Sequence, residues 1–272
     1  MREPAPFNYY AHHSALSDPR AHGGLISSLP PDVPAWCRIL QGLLIHEAWI
    51  ERQGFDTAAF AGQSRATLPV SERLDQLLAI DPRPLTYERQ GECRALATCR
   101  DFALMLCAIL RQHSVPARVR CGFATYFAGH PYHDHWVCEY RARDQQRWVL
   151  VDAEIDEAHR KGLEIDFEPT DVPRTAFITG IEAWKRCRSG AMNPEHLGHG
   201  TTTGLFFAQV NLARDLLALA KRETSQWDTW RTARDPHLWL DEAALLRCDD
   251  LAQRGEERAV EIAPSLSIPP WQ

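Results

Sequence analysis

The stretch "TCRDFALMLCAILRQHSVPARVRCGF", Thr98 to Phe123, leaves the fold little freedom. Thr98 followed three residues later by Asp101 is a capping box, a start signal for a helix. Phe102, Leu106, Ile109 and Leu110 recur at helical spacing, so the helix runs to about Gln112. Near Pro116 the pattern turns extended, and "PARVRCGF" reads as a strand. Cys99 therefore stands at the first helical position. Unpaired N–H groups and the positive end of the helix dipole stabilise a thiolate there, and the Cys99 N–H faces where an oxyanion would form. On this feature alone a small buried core residue is the favoured reading.

A base comes from "HDHWVCEYRARDQQRWVLVDAE". Two strand-like runs, "HWVCEY" and "RWVLVDAE", flank "ARDQ", Ala142 to Gln145. A hairpin closed there sets Arg141 opposite Gln146, Glu139 opposite Trp148, Val137 opposite Leu150 and His135 opposite Asp152. Directly opposed side chains sit close enough for a carboxylate to orient an imidazole. A register two residues away brings His133 opposite Asp152 instead. A separate reading makes His130, His133 and His135, with a cysteine, a metal-binding set.

Before Thr98 the chain is expected to be mostly helical. The first 30 residues, rich in Pro, His and Ser, read as irregular. "DVPAWCRILQGLLIHEAWIERQGF" reads as one helix with Asp32 as N-cap and Pro34 in its first turn. A second helix covers 69–80. After the strands, 164–174 reads as loop, "GLFFAQVNLARDLLALAKRE" and "LDEAALLRCDDLAQR" as helices, and the end as a tail. Trp184, Trp227, Trp230 and Trp239 belong to the core or to a groove. The 272 residues, 44% hydrophobic with net charge −6, can bury a sizeable core and offer no basic surface for nucleic acid. All but three of the 30 basic residues are arginines. The N-terminus lacks the apolar stretch of a secretory signal, and no apolar run is long enough to span a membrane. The expectation is a cytoplasmic protein with reduced thiols at Cys37, Cys93, Cys99, Cys107, Cys121, Cys138, Cys187 and Cys248, and no CxxC zinc motif.

"CRDFALMLCAILRQHSVPARVRCGF", then "DHWV", then "RWVLVDAE", resembles the transglutaminase-like superfamily of papain-like thiol enzymes across about Gly91–Asp156. The resemblance implies an α+β fold with a nucleophile helix packed on an antiparallel sheet. With no internal repeat and no low-complexity linker, a single domain over 1–272 is expected: a helical part at about 31–90, a catalytic core at 91–175, a helical part at 176–255 and a tail at 256–272. By the resemblance Cys99 is the nucleophile, His135 the general base and acid, and Asp152 its orienter. Cys93 in "GECR" lies too far before Pro116 for the family's helix and falls on the approaching loop. Ser114 and Ala97-Thr98 stand where the family often carries glycine. The implied chemistry is acyl transfer or hydrolysis on an amide or ester, with no cofactor or metal and a peptide, protein or small amide or ester as substrate. The alternative is a non-catalytic binding module retaining the fold. For the oxyanion, Gln90, Gln41, Trp49 and Trp136 all stay open, and His12, His13 and His46 are candidate cleft residues.

Overall fold

Two short helices, α1 (Phe7–Ala11) and α2 (Gly23–Ser27), form within the N-terminal stretch that reads as irregular. Both rest on the helix that begins at Cys99, so tertiary packing supplies what local propensity lacks. The computed structural model describes residues 7–63, 69–142, 147–224 and 241–266. Two units are distinguished, one of residues 7–118 and 137–172, the other of 119–136 and the chain from 173 onward.

In the first unit, α3 (Val33–Leu43) starts as expected, with Asp32 accepting the Ala35 N–H at 2.9 Å. It ends twelve residues earlier than the sequence pattern suggests, at Leu43 rather than Phe55. Leu44–His46 is a strand, β1, because it finds a parallel partner in β2 (Ala95–Ala97), about fifty residues on. Helix α4 (Val70–Ile80) lies between them, and 3-10 turns follow β1. Helix α5 (Cys99–Gln112) is buried from Cys99 through Arg111, so even its polar side chains must find partners. Asp101 Oδ2 accepts the Thr98 N–H at 2.9 Å and lies 3.2 Å from Arg73. Arg111 donates to the Ala117 carbonyl at 3.0 Å and to Ser17 Oγ at 2.8 Å. The helix closes through Val115 N–H to Leu110 O at 2.9 Å. That closure places Ser114 at φ 57°, in the left-handed region glycine favours.

Strands β3 (Ala117–Ala124) and β4 (Tyr132–Arg141) each run on from one unit into the other. In the first unit the end of β4 pairs antiparallel with β5 (Trp148–Val151), and α6 (Glu157–Gly162) follows. The observed register sets Arg141 opposite Trp148 and Cys138 opposite Val151. The expected register is therefore wrong by two residues: Arg141 pairs with Trp148 rather than Gln146, and the Ala142 N–H donates to the Arg147 carbonyl at 3.0 Å. A slip of two keeps every side chain on the face it had. One step further along the observed register, Val137 stands opposite Asp152.

In the second unit the strand order is β6 (Phe177–Thr179), β3, β4, β7 (Leu197–His199), β8 (Thr202–Thr203). Among the described residues, the region at 176–255 thus carries three short strands besides its helices α7 (Gly180–Arg188), α8 (Leu205–Leu219) and α9 (Glu242–Arg254). Trp184 is at the centre of this unit's core with Phe123, Phe207, Leu212 and Leu216, and its indole N–H donates to Asp249 at 2.9 Å. Helices α7 and α8 approach so closely that a Cβ on Gly180 would lie 2.1 Å from the Asn211 carbonyl. The expected tail is helical from Glu256 to Ser265, including α10 (Ala259–Ile262). Trp227, Trp230 and Trp239 lie outside the described residues. The whole is α+β. Among the described residues no helix is long and apolar enough to cross a membrane.

Candidate active site

Parallel pairing of β1 with β2 sets His46 beside Ala97, two residues before the start of α5. This brings the His46 ring to Cys99, a contact that no local sequence pattern announces. A nitrogen of His46, Cys99 Sγ and a carboxylate oxygen of Glu154 all lie within 4.8 Å of one another. His46 Nδ1 accepts the Ala48 N–H at 3.1 Å, which leaves Nε2 for Cys99. Burial, the largest influence, lowers the proton affinity of His46. The Glu154 charge and the hydrogen bond to Cys99 outweigh it, and the pKa is raised from the ordinary value. Nitrogen, sulfur and oxygen donors converge here, a set of three that could hold a metal ion.

Behind Glu154 stands His159, buried against Trp49 with ring centroids 3.9 Å apart. Its Nδ1 lies 2.6 Å from Asp156 and its Nε2 3.6 Å from Glu154, an ion-pair distance rather than a hydrogen bond. Burial opposes its charge, yet the two carboxylates carry its pKa up to about 9. His159 is therefore an imidazolium at neutral pH, and the face of Trp49 suits a cation. A folded-state pKa above the unfolded value means that this stabilisation is full below about 6.5 and fades as pH rises through about 9. His159→Gln is expected to lower stability by up to about 3 kcal/mol near pH 6. Thermal melts of variant and parent should converge above the raised pKa; a gap independent of pH would show that packing alone is lost.

Asp152 is buried at the end of β5, where its Oδ1 accepts the Glu154 N–H at 3.1 Å. It lines a cavity of 630 Å³ within the first unit, shared with Cys37, Gln41, Arg94, Ile155 and Glu168. Gln41 is not an oxyanion donor here, because its amide donates to the carbonyls of Ala153 and Ile155 at 3.1 and 3.0 Å. Cys93 belongs to a 3-10 turn approaching β2, as the sequence suggests. Burial pushes the Cys37 thiol up to about 12 and Cys187 to about 11, values of unreactive thiols.

In the second unit, His135 is buried with its ring 4.7 Å from that of Phe127 and 6.0 Å from Tyr126. Along β4 it takes the same face as Val137. Its neighbour Asp134 points the other way and accepts from Asn211 of α8 at 2.8 Å, and Asn211 also donates to the Gly122 carbonyl of β3. The proposed histidine metal set does not assemble as expected. His133 meets His199 at 3.3 Å and His130 bonds the Gly200 carbonyl at 2.9 Å. Among the described residues neither His130 nor His133 joins a group of three converging donors.

Comparison with known proteins places residues 79–153 in similarity to the transglutaminase-like superfamily. A crystal structure of a candidate cysteine protease from Cytophaga hutchinsonii aligns at 16% identity and a TM-score of 0.37, over 63% of this chain. The chain spans 44% of that protein's length. No curated protein matches the sequence.

Proposed function

Taking residues 79–153 as a transglutaminase-like segment, we propose that this protein is a cysteine-dependent enzyme that transfers or hydrolyses acyl groups. Cys99 attacks the carbonyl carbon of an amide or ester. His135 takes the thiol proton and passes it to the departing amine or alcohol, leaving a thioester on Cys99. Water or an amine then attacks the thioester, His135 receives its proton, and the thiol is restored. Asp152 keeps the His135 ring in one tautomer and orientation. The substrate class is a peptide, a protein or a small amide or ester.

The observation that supports this most is the seat of Cys99. It opens a helix whose first turn is fixed by Thr98, Asp101 and Arg73, and its sulfur lies within 4.8 Å of a ring nitrogen of His46. A structural cysteine has no use for that company, whereas a nucleophile needs both a rigid mount and a polar partner. An activated ester tests the reading directly. Mixing the protein with p-nitrophenyl acetate should give a burst of nitrophenol and an acetyl group on the tryptic peptide carrying Cys99. Acetyl groups spread equally over the half-buried Cys93 and Cys187 would overturn it.

A further inference from the structure

We infer that His46 is a second imidazole of the active site, a fixed N–H donor to the Cys99 sulfur rather than a base. The inference rests on the reading of Cys99 as nucleophile and adds a residue to it. Three contacts carry it. First, the Ala48 N–H occupies the Nδ1 lone pair at 3.1 Å, so a neutral His46 bears its proton on Nε2. Second, a ring nitrogen of His46 lies within 4.8 Å of Cys99 Sγ, and with Nδ1 occupied by the Ala48 N–H the nitrogen left to meet the sulfur is Nε2. Third, the Glu154 carboxylate lies within the same 4.8 Å cluster and favours the proton staying on the ring.

A donor aimed at sulfur stabilises the thiolate and has little to offer the thiol. His46 therefore lowers the free energy of the state formed once His135 has taken the proton, and it does so without moving a proton itself. The charged groups around the ring run in sequence. Glu47 adjoins it in the turn after β1, Cys99 faces it from α5, and Glu154 faces it from the segment after β5. His159, ionised by Asp156, stands on the far side of Glu154 and holds that carboxylate in place. Glu154 and His159 are thus positioning residues for His46, in a relay built wholly within the first unit.

The test follows Cys99 alkylation by iodoacetamide across pH, read peptide by peptide in the mass spectrometer. His46→Phe keeps the ring volume and removes the donor, and alkylation at pH 7 should slow about tenfold, the effect of one unit in thiol pKa. His46→Gln retains an N–H donor and should recover most of that rate. A His46→Phe protein that melts like the parent and alkylates along the parent curve would overturn the inference. Nitrogen-15 spectra of the unaltered protein give a check free of folding effects: the Nε2–H tautomer at His46 is expected, and Nδ1–H would refute it. Neither readout depends on turnover. If Cys99→Ala kept its activity, the nucleophile reading would fail while the His46 contact could still be measured.

Discussion

Cys99→Ala is expected to lower turnover of an activated ester by about 10⁴-fold or more, since removing a nucleophile leaves only the catalysis of binding and oxyanion contacts. The fold should survive. Cys99 is a small buried side chain at a helix start, and the clamp on that start is made by Thr98, Asp101 and Arg73 rather than by the thiol. Circular dichroism and a thermal melt within a few degrees of the parent would establish this. Cys93→Ala serves as the control, because its turn only approaches the site, and its rate should stay within about twofold of the parent. Equal losses in the two variants would remove Cys99 from the mechanism.

Asp215→Ala should be among the most destabilising single changes in the protein, at about 3–5 kcal/mol. Arg120 of β3 lies fully buried in the second unit and donates through Nε to Asp215 Oδ1 at 2.8 Å and through its terminal nitrogen to Oδ2 at 2.9 Å. Asp215 also receives the Cys121 N–H at 3.3 Å, so the carboxylate pins α8 to β3. Glu256 meets the same guanidinium at 2.7 Å but is partly exposed and cannot replace the lost carboxylate. Removal takes the bidentate carboxylate from a buried cation and leaves it the partly exposed Glu256. The comparison is Asp250→Ala, which breaks an exposed pair with Arg254 one helical turn away and should change stability by less than about 0.5 kcal/mol. Urea unfolding of both variants measures the contrast, and equal losses would mean that the buried pair contributes no more than a surface one.

Features encoded within a few residues were legible in the sequence. The Thr98–Asp101 cap, the span of α5, the break at Pro116 and the strands around Trp136 and Trp148 each follow from local pattern, and the structure has them. Errors arose where a distant partner decides. Leu44–Ile45 has the apolar character of a helix continuing from Leu43, yet β2 recruits it as a strand. The same long-range pairing carries His46 to Cys99, so a residue read as a general cleft histidine is in contact with the candidate nucleophile. Hairpin register is not legible locally, because a strand pattern fixes which face a side chain takes but not how many residues the turn consumes. The relay through Glu154 and His159 left a fainter trace: the run "DAEIDEAH" holds all its members after Asp152, with no periodic signal to single them out.

The arginine bias of the sequence acquires a physical meaning in the interior. Arg73, Arg89, Arg100, Arg120 and Arg214 are among the largest side chains wholly withdrawn from solvent. Arg89 is held by the main-chain carbonyls of Leu77 and Asp81, and Arg73 by Leu96 O as well as Asp101. A lysine in such a place could shed its proton and become a neutral amine; a guanidinium cannot. The interior thus keeps fixed positive charges under all conditions in which the chain is folded, and neutralising them falls entirely to carboxylates and peptide dipoles. Such a core is conditional on its anions: where acid protonates the carboxylates, the unyielding cations behind them become the force that opens the protein.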